Sequence, residues 1–305
     1  MLAMSSPSIQ WYPGHIAKAE RSLKEQLKRV DVVLEVRDAR IPLATHHPEM
    51  DGWIGDKSRV LVLNRVDMIS SEARQVWQTW FKVHGQTVYF TNAKQGKGVQ
   101  NLLRAAQDAG KSMNERRKRR GMKPRPVRAV VIGFPNVGKS ALINRLLKRK
   151  VVVSERRAGV TRQLRWVRIS NEIELLDAPG IIPLKLNDQE MALKLAICDD
   201  IGGAAYDTQR VAAAFIDLIK DLEQQIKDYG SAIATRYQTP LASDTGETYT
   251  GETYLTVLAQ RHNDDLERAA HQLLNDFRKG NLGNLVLELP PVDALMAGEA
   301  ATVRT

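Results

Sequence analysis

Eight consecutive residues, Gly133-Phe-Pro-Asn-Val-Gly-Lys-Ser140, constrain this chain more than any other feature. They match the pattern GxxxxGK[ST] and lie between an apolar run, 130–134, and a stretch of helical periodicity, 139–147. Such a loop works in that strand-to-helix setting, where backbone N–H groups of the loop and the first helical turn converge on phosphate oxygens. Asn136, Val137, Gly138, Lys139, Ser140 and Ala141 are therefore candidate nucleotide-binding residues. Lys139 would contact the terminal phosphates, and Ser140 would ligate magnesium.

The rest of the first 182 residues supplies a sheet for that loop. Apolar runs at 32–36, 60–63 and 88–90 read as buried strands, and 71–83 and 99–109 read as helices between them. Upstream, Ile16, Ala19, Leu23, Leu27 and Val30 recur at spacings of three and four, the mark of an amphipathic helix. Further strands are expected at 164–169 and 173–177. The alternation predicts an α/β domain, a mostly parallel sheet with helices on both faces, over 1–182. Residues 111–128, charged and closed by two prolines, read as a linker joining its halves. Beyond about 185 the pattern is helical: Val211, Phe215, Leu218, Leu222, Ile226 and Tyr229 share one face, and Leu266, Ala270, Leu273 and Phe277 another. This predicts a smaller all-helical domain over 183–292, with a loop insertion at 239–254 and a flexible tail at 293–305.

Charge separates these parts. The net value of +10 is the difference between +18 over residues 1–180 and −8 beyond. Phosphates of a nucleotide account for some of the positive half but not for the run Arg116, Arg117, Lys118, Arg119, Arg120, which is a candidate RNA contact. In the acidic helical part, Arg278 and Lys279 offer a local basic face. One cysteine, Cys198, excludes an internal disulfide and a thiolate zinc cluster. No apolar stretch is long enough to span a bilayer and no leader pattern is present, so the expected setting is cytoplasmic, with no membrane partner.

The base of the nucleotide is legible as well. Asn64-Arg-Val-Asp67 ends the strand VLVLN, and a carboxylate there can accept from both N1–H and the 2-amino group of guanine; adenine offers neither donor on that edge. Asp67 thus favours guanine over adenine, which argues against an ATPase, while Asn64 braces the pocket and Arg65 lays its stem over the base. Thr91-Asn-Ala-Lys94 ends the next strand: with Asn92 in the same loop, the Ala93 N–H would meet guanine O6, and Lys94 would cover the ring. Downstream of the phosphate loop, Asp177-Ala-Pro-Gly180 closes a strand. Asp177 would hold magnesium through water, Gly180 would bring its N–H to the γ-phosphate, and Thr161 would be a second magnesium ligand.

In an ordinary GTPase the phosphate loop comes first and the base motifs last. Here the order is reversed, which a circular permutation explains without any new strand neighbour. The permuted order, together with Trp11-Tyr-Pro-Gly-His15, Asp38-Ala-Arg-Ile-Pro42 and the segment 274–283, resembles the ribosome biogenesis GTPase A group, the YlqF-related circularly permuted GTPases. The resemblance covers about 10–290. It implies a circularly permuted P-loop GTPase domain followed by a helical domain that touches ribosomal RNA. It also implies GTP and GDP as ligands, magnesium as cofactor, and GTP hydrolysis coupled to late maturation of the large ribosomal subunit. The alternative is a nucleotide-dependent switch acting on a non-ribosomal RNA.

Hydrolysis itself is expected to be slow without help. Where many GTPases carry a water-orienting glutamine, this chain has Ile181-Ile182. The resemblance suggests two compensations: Asn136 as a ligand of a stimulating potassium ion, and His15 as a catalytic residue that positions water. His15 has a second reading, as a turn histidine packed with Trp11 and Tyr12.

Overall fold

The computed structural model describes residues 16–147, 165–177, 188–226, 228–242 and 248–291. They fall into two compact units, one containing 16–177 and 288–291 and the other 188–287.

The first unit is built on six strands: β1 Val32–Asp38, β2 Ser58–Asn64, β3 Val88–Thr91, β4 Val127–Ile132, β5 Arg165–Arg168 and β6 Ile173–Asp177. Their order across the sheet is β3-β2-β1-β4-β6-β5, and every pair is parallel except the edge hairpin of β5 with β6. Among the described residues, five helices accompany them: α1 Ile16–Leu27, α2 Met50–Ile54, α3 Ser71–Val83, α4 Val99–Arg119 and α5 Lys139–Leu146. On one face, Leu23 and Leu27 of α1 and Met50 and Ile54 of α2 bury themselves with Val33, Val130, Ile132 and Leu176. α4 packs along β1, β2 and β4, with Leu102 and Ala106 buried. The expected mostly parallel sheet covered on both faces is what the chain forms. From β1 the chain builds outward through β2 to β3 and then crosses back to β4 on the other side of β1, and the C-terminal strand ends around this reversal form the crevice where open α/β sheets bind ligands.

Two stretches depart from the sequence reading. Residues 111–119 are not a linker but the last turns of α4, and only the short segment from Arg120 to Pro126 turns the chain into β4. Lysine and arginine are good helix formers and suit the negative end of the helix dipole, so the helix continues until Gly121 and Pro124 stop it. Asn114 then holds the returning strand by two bonds to the Arg125 backbone, at 3.0 and 3.1 Å, and Arg125 pairs with Asp31. The expected loop at 239–254 is also partly helix: Thr250 caps α9, Gly251–Ala259, by accepting from the Thr253 N–H, and Tyr254 is buried. Residues 243–247 lie outside the described part.

The second unit is helical, with α6 Gln189–Ile197, α7 Thr208–Glu223, α8 Ser231–Tyr237, α9 and α10 Leu266–Lys279. α7 packs against α6, α9 and α10, and Phe215 meets Phe277 with ring centroids 4.9 Å apart. The buried face of α7 runs through Ile216 and Ile219; Leu218 is only half-buried. Of the basic pair near the end of α10, Arg278 is half-buried and its guanidinium caps α6 through the carbonyls of Ala196 and Ile197 and also donates to Tyr206. Lys279 is exposed. Glu288 belongs to the sheet unit rather than the helical one: its carboxylate accepts from the N–H groups of Leu43 and Ala44. Among the described residues, no helix is long and apolar enough to cross a membrane.

Candidate guanine nucleotide site

Four strand ends assemble the site: Asp38 on β1, Asn64 on β2, Thr91 on β3, and the loop that leaves β4 at Gly133. The loop turns through Asn136 at φ 57° and Gly138 at φ 98°. Gly138 admits no other residue, since a Cβ there would stand 2.2 Å from the Asn64 Nδ2. α5 starts directly afterwards, and its N-cap, a glycine, has no side chain with which to cap the first N–H groups. Lys139 folds back over the loop, buried, and donates to the carbonyls of Gly133 and Phe134 at 3.1 and 2.7 Å. An ammonium held by neutral carbonyls, at the start of a helix, suits a polyphosphate.

One side chain joins this loop to the ends of β2 and β3. Asn64, 3% exposed, accepts from the Thr91 hydroxyl and the Ala93 N–H, each at 3.1 Å, and donates to the Val137 carbonyl at 2.9 Å. A single amide thereby sets the distance between the end of β2, the loop after β3 and the phosphate loop. Asp67 stands exposed on a one-turn 3-10 helix, Val66–Met68, and Lys94 is also exposed. Asn92 is buried and accepts from the Gln95 N–H, which braces its own loop.

Arg65 sits differently from the sequence expectation. The backbone takes it through φ 65°, and its guanidinium donates to Asp38 Oδ2 at 2.7 Å and to the Asn136 carbonyl at 2.5 Å. Its head is thus anchored to the phosphate loop. This anchor depends on Asp38, fully buried, which also accepts from the Arg40 side chain at 3.0 and 2.7 Å and from the Arg40 N–H. Burial alone would raise the Asp38 pKa; the adjacent Arg40 and Arg65 outweigh it and bring the carboxyl down to about 2. A second buried carboxylate, Glu35, lies three residues back on β1, beside Arg37, His46 and Arg59. There too burial raises the value, and Arg37, the His46 hydrogen bond and Arg59 together lower it to about 2.

These carboxyls set an acid limit. Their folded-state values lie below the ordinary 3.8 and 4.5, so their contribution is complete above about pH 5 and is lost as pH falls through the range toward 2. The sheet unit should therefore lose stability steeply below about pH 4.5. Glu35→Gln should flatten that dependence in an acid titration followed by circular dichroism. An unchanged pH profile would contradict the assignment.

Ser140 begins α5 beside Lys139, and β4 and β6 run in register with Val131 opposite Asp177, which brings the end of β6 next to the phosphate loop. A hydroxyl and a carboxylate-bearing strand end are hard oxygen donors, the kind magnesium takes together with phosphate oxygens. Among the described residues, no group of three or more His, Cys, Asp or Glu could hold a metal unaided. His15, Thr161 and Gly180 lie outside the described residues.

Comparison with known proteins places this geometry. Residues 128–240 match the family model described as 50S ribosome-binding GTPase. The ribosome biogenesis GTPase A of Bacillus pumilus is 33% identical over 285 residues, covering 93% of this chain and 99% of its own. That of Bacillus cereus is 34% identical, covering 92% and 94%. The Arabidopsis thaliana protein named Short integuments 2, mitochondrial, is 31% identical over 71% of this chain and 58% of its own length. Among solved structures, a GDP-bound YlqF superposes with a TM-score of 0.62 at 24% identity, covering 88% of this chain and 99% of that one. A GNP-bound YlqF from T. maritima gives 0.59, covering 90% and 98%; both establish the fold. With a permuted sheet, a phosphate-loop motif tied through Asn64 at the end of β2 to the loop after β3, and relatives matched over nearly their whole length, this chain belongs to the ribosome biogenesis GTPase A family.

Proposed function

We propose that this chain binds and hydrolyses GTP as an assembly factor in late maturation of the large ribosomal subunit, in the cytoplasm. The observation that carries the nucleotide part is the Asn64 amide, which binds the phosphate loop and the loop after β3 at once. In this reading Asp67 takes guanine N1–H and the 2-amino group, Lys94 covers the base, and Lys139 moves from its loop carbonyls to the β- and γ-phosphates. Ser140, Thr161 and Asp177, the last through water, hold magnesium, and the Gly180 N–H meets the γ-phosphate. Magnesium supplies charge neutralisation on the phosphates when bound. Ile181 and Ile182 cannot orient water, so intrinsic turnover is slow, and a potassium ion at Asn136, His15 and the ribosomal partner supply the missing stimulation.

The RNA part rests on α4. Arg116, Lys118, Arg119 and Arg120 are exposed at its C-terminal end, and Arg117 donates to the Lys123 carbonyl, so the basic run is presented on an ordered helix end. Held in one place, these cations can meet successive phosphates with little ordering cost. The chain should sediment with the large subunit in the presence of a non-hydrolysable GTP analogue and much less with GDP. Replacing the five basic residues by serine should lower the slope of log K against log salt by about 3. Absence from the subunit in both nucleotide states, with crosslinks to other RNA, would overturn the ribosomal assignment.

A further inference from the structure

The loop after β3 uses up its backbone donors in a revealing order. The Asn92 N–H goes to the Lys97 carbonyl, the Ala93 N–H to Asn64 Oδ1, the Gln95 N–H to Asn92 Oδ1, and the Gly96 N–H to the Asn92 carbonyl. Among the described residues, no acceptor meets the Lys94 N–H. The sequence reading gave guanine O6 to Ala93, but that amide already serves Asn64.

The Ala93–Lys94 peptide is also held from its other side. Arg145, on the helix that begins with Lys139, donates through Nε to the Ala93 carbonyl at 3.2 Å and through Nη2 to the Lys94 carbonyl. Its stem lies against Gly96, where a Cβ would stand 3.1 Å from Arg145 Cδ, so a side chain at 96 would push the guanidinium off. All peptide bonds described are trans, and in a trans peptide the C=O of one residue and the N–H of the next point in opposite directions. With its carbonyl held by Arg145, the Ala93–Lys94 unit must direct the Lys94 N–H away from that residue.

We propose that Arg145 is a positioning residue for base recognition: from the phosphate-binding helix it locks the Ala93–Lys94 peptide so that the Lys94 N–H donates to guanine O6. A 6-oxo group accepts that bond, whereas the 6-amino group of adenine would set donor against donor. Arginine suits the task because its planar fork reaches two carbonyls at once, which the point charge of lysine does not. The inference rests on the guanine pocket proposed above.

Binding of GDP, 6-thio-GDP and IDP to the full chain tests it. Sulfur at position 6 is a poor acceptor but leaves N1–H and the 2-amino group intact, and IDP lacks only the 2-amino group. Arg145→Ala should weaken GDP binding about tenfold and leave 6-thio-GDP nearly unaffected, so that the ratio of the two affinities falls toward one. The ratio of GDP to IDP should stay as in the wild type, since that contrast is read by Asp67. Arg145→Lys, which keeps the charge and can reach one carbonyl, should fall between. An unchanged ratio of GDP to 6-thio-GDP in Arg145→Ala would overturn the proposal, and so would equal losses for all three nucleotides, which would mean a generally loosened loop. Failure of the pocket itself shows up separately, as undiminished GDP affinity in Asp67→Asn.

Discussion

Asp67→Asn should lower affinity for GTP at least about a hundredfold and raise affinity for XTP by a similar factor. The carboxylate accepts two hydrogen bonds from guanine in the proposed pocket, and hydrogen bonds to a charged group are worth about 1.5–3 kcal/mol each, so losing one, weakening the other to a neutral bond and setting a donor against the 2-amino group together cost about two orders of magnitude or more. An asparagine keeps one acceptor for N1–H and turns a donor toward position 2, which repels the 2-amino group of guanine and suits the 2-oxo group of xanthine. The substitution is isosteric, and Asp67 is exposed, so the fold should be untouched. The turn that carries it is fixed from below, because Arg65 at φ 65° is anchored to both Asp38 and the Asn136 carbonyl. Calorimetric titration with GTP, XTP and ATP reads the exchange directly. Retained GTP affinity would place the base elsewhere.

Much of this site was legible because its chemistry is local. The strand-loop-helix of 127–146 is written in consecutive residues, and so are the two tetrapeptides that end β2 and β3. What was not legible depends on residues far apart in the chain. Arg145 is 52 positions from Ala93, and its role follows only once α5 and the loop after β3 are neighbours. Asp38 was noticed as part of a family segment, yet its function as counter-ion to Arg40 and Arg65 needs the parallel pairing of β1 with β2, which sets Asp38 opposite Asn64. The misreading of 111–119 has another cause. A run of like charges repels itself in an isolated helix, but here Asn114 fastens it to Arg125 and the Met113 side chain is buried, so tertiary contacts outweigh the repulsion.

Asp38→Ala should be the most destabilising single change in the sheet unit outside the apolar core. Asp38 and Arg40 are both fully buried, and removing one partner of such a pair leaves an uncompensated charge at a cost of about 3–5 kcal/mol. That is a large share of the 5–15 kcal/mol that holds a typical domain together, and it corresponds to a fall in melting temperature of about 10 °C. Arg65 is less affected, because its side chain is 28% exposed and can recruit water; it would still lose the acceptor that directs its head toward the phosphate loop. Nucleotide affinity should therefore drop as well, through a less ordered Asn136 carbonyl rather than through any lost ligand contact. A second substitution separates charge burial from lost packing. If the stranded guanidinium is the cause, Asp38→Ala combined with Arg40→Met should recover most of the lost stability, since apolar groups of similar volume often replace buried ion pairs without loss. Nucleotide affinity should not recover with it, because the Asp38 carboxylate that steadies Arg65 is absent in both variants. A double variant no more stable than the single one would show that Asp38 acts through its shape and its bonds to the Arg40 and Arg65 donors, not through its charge.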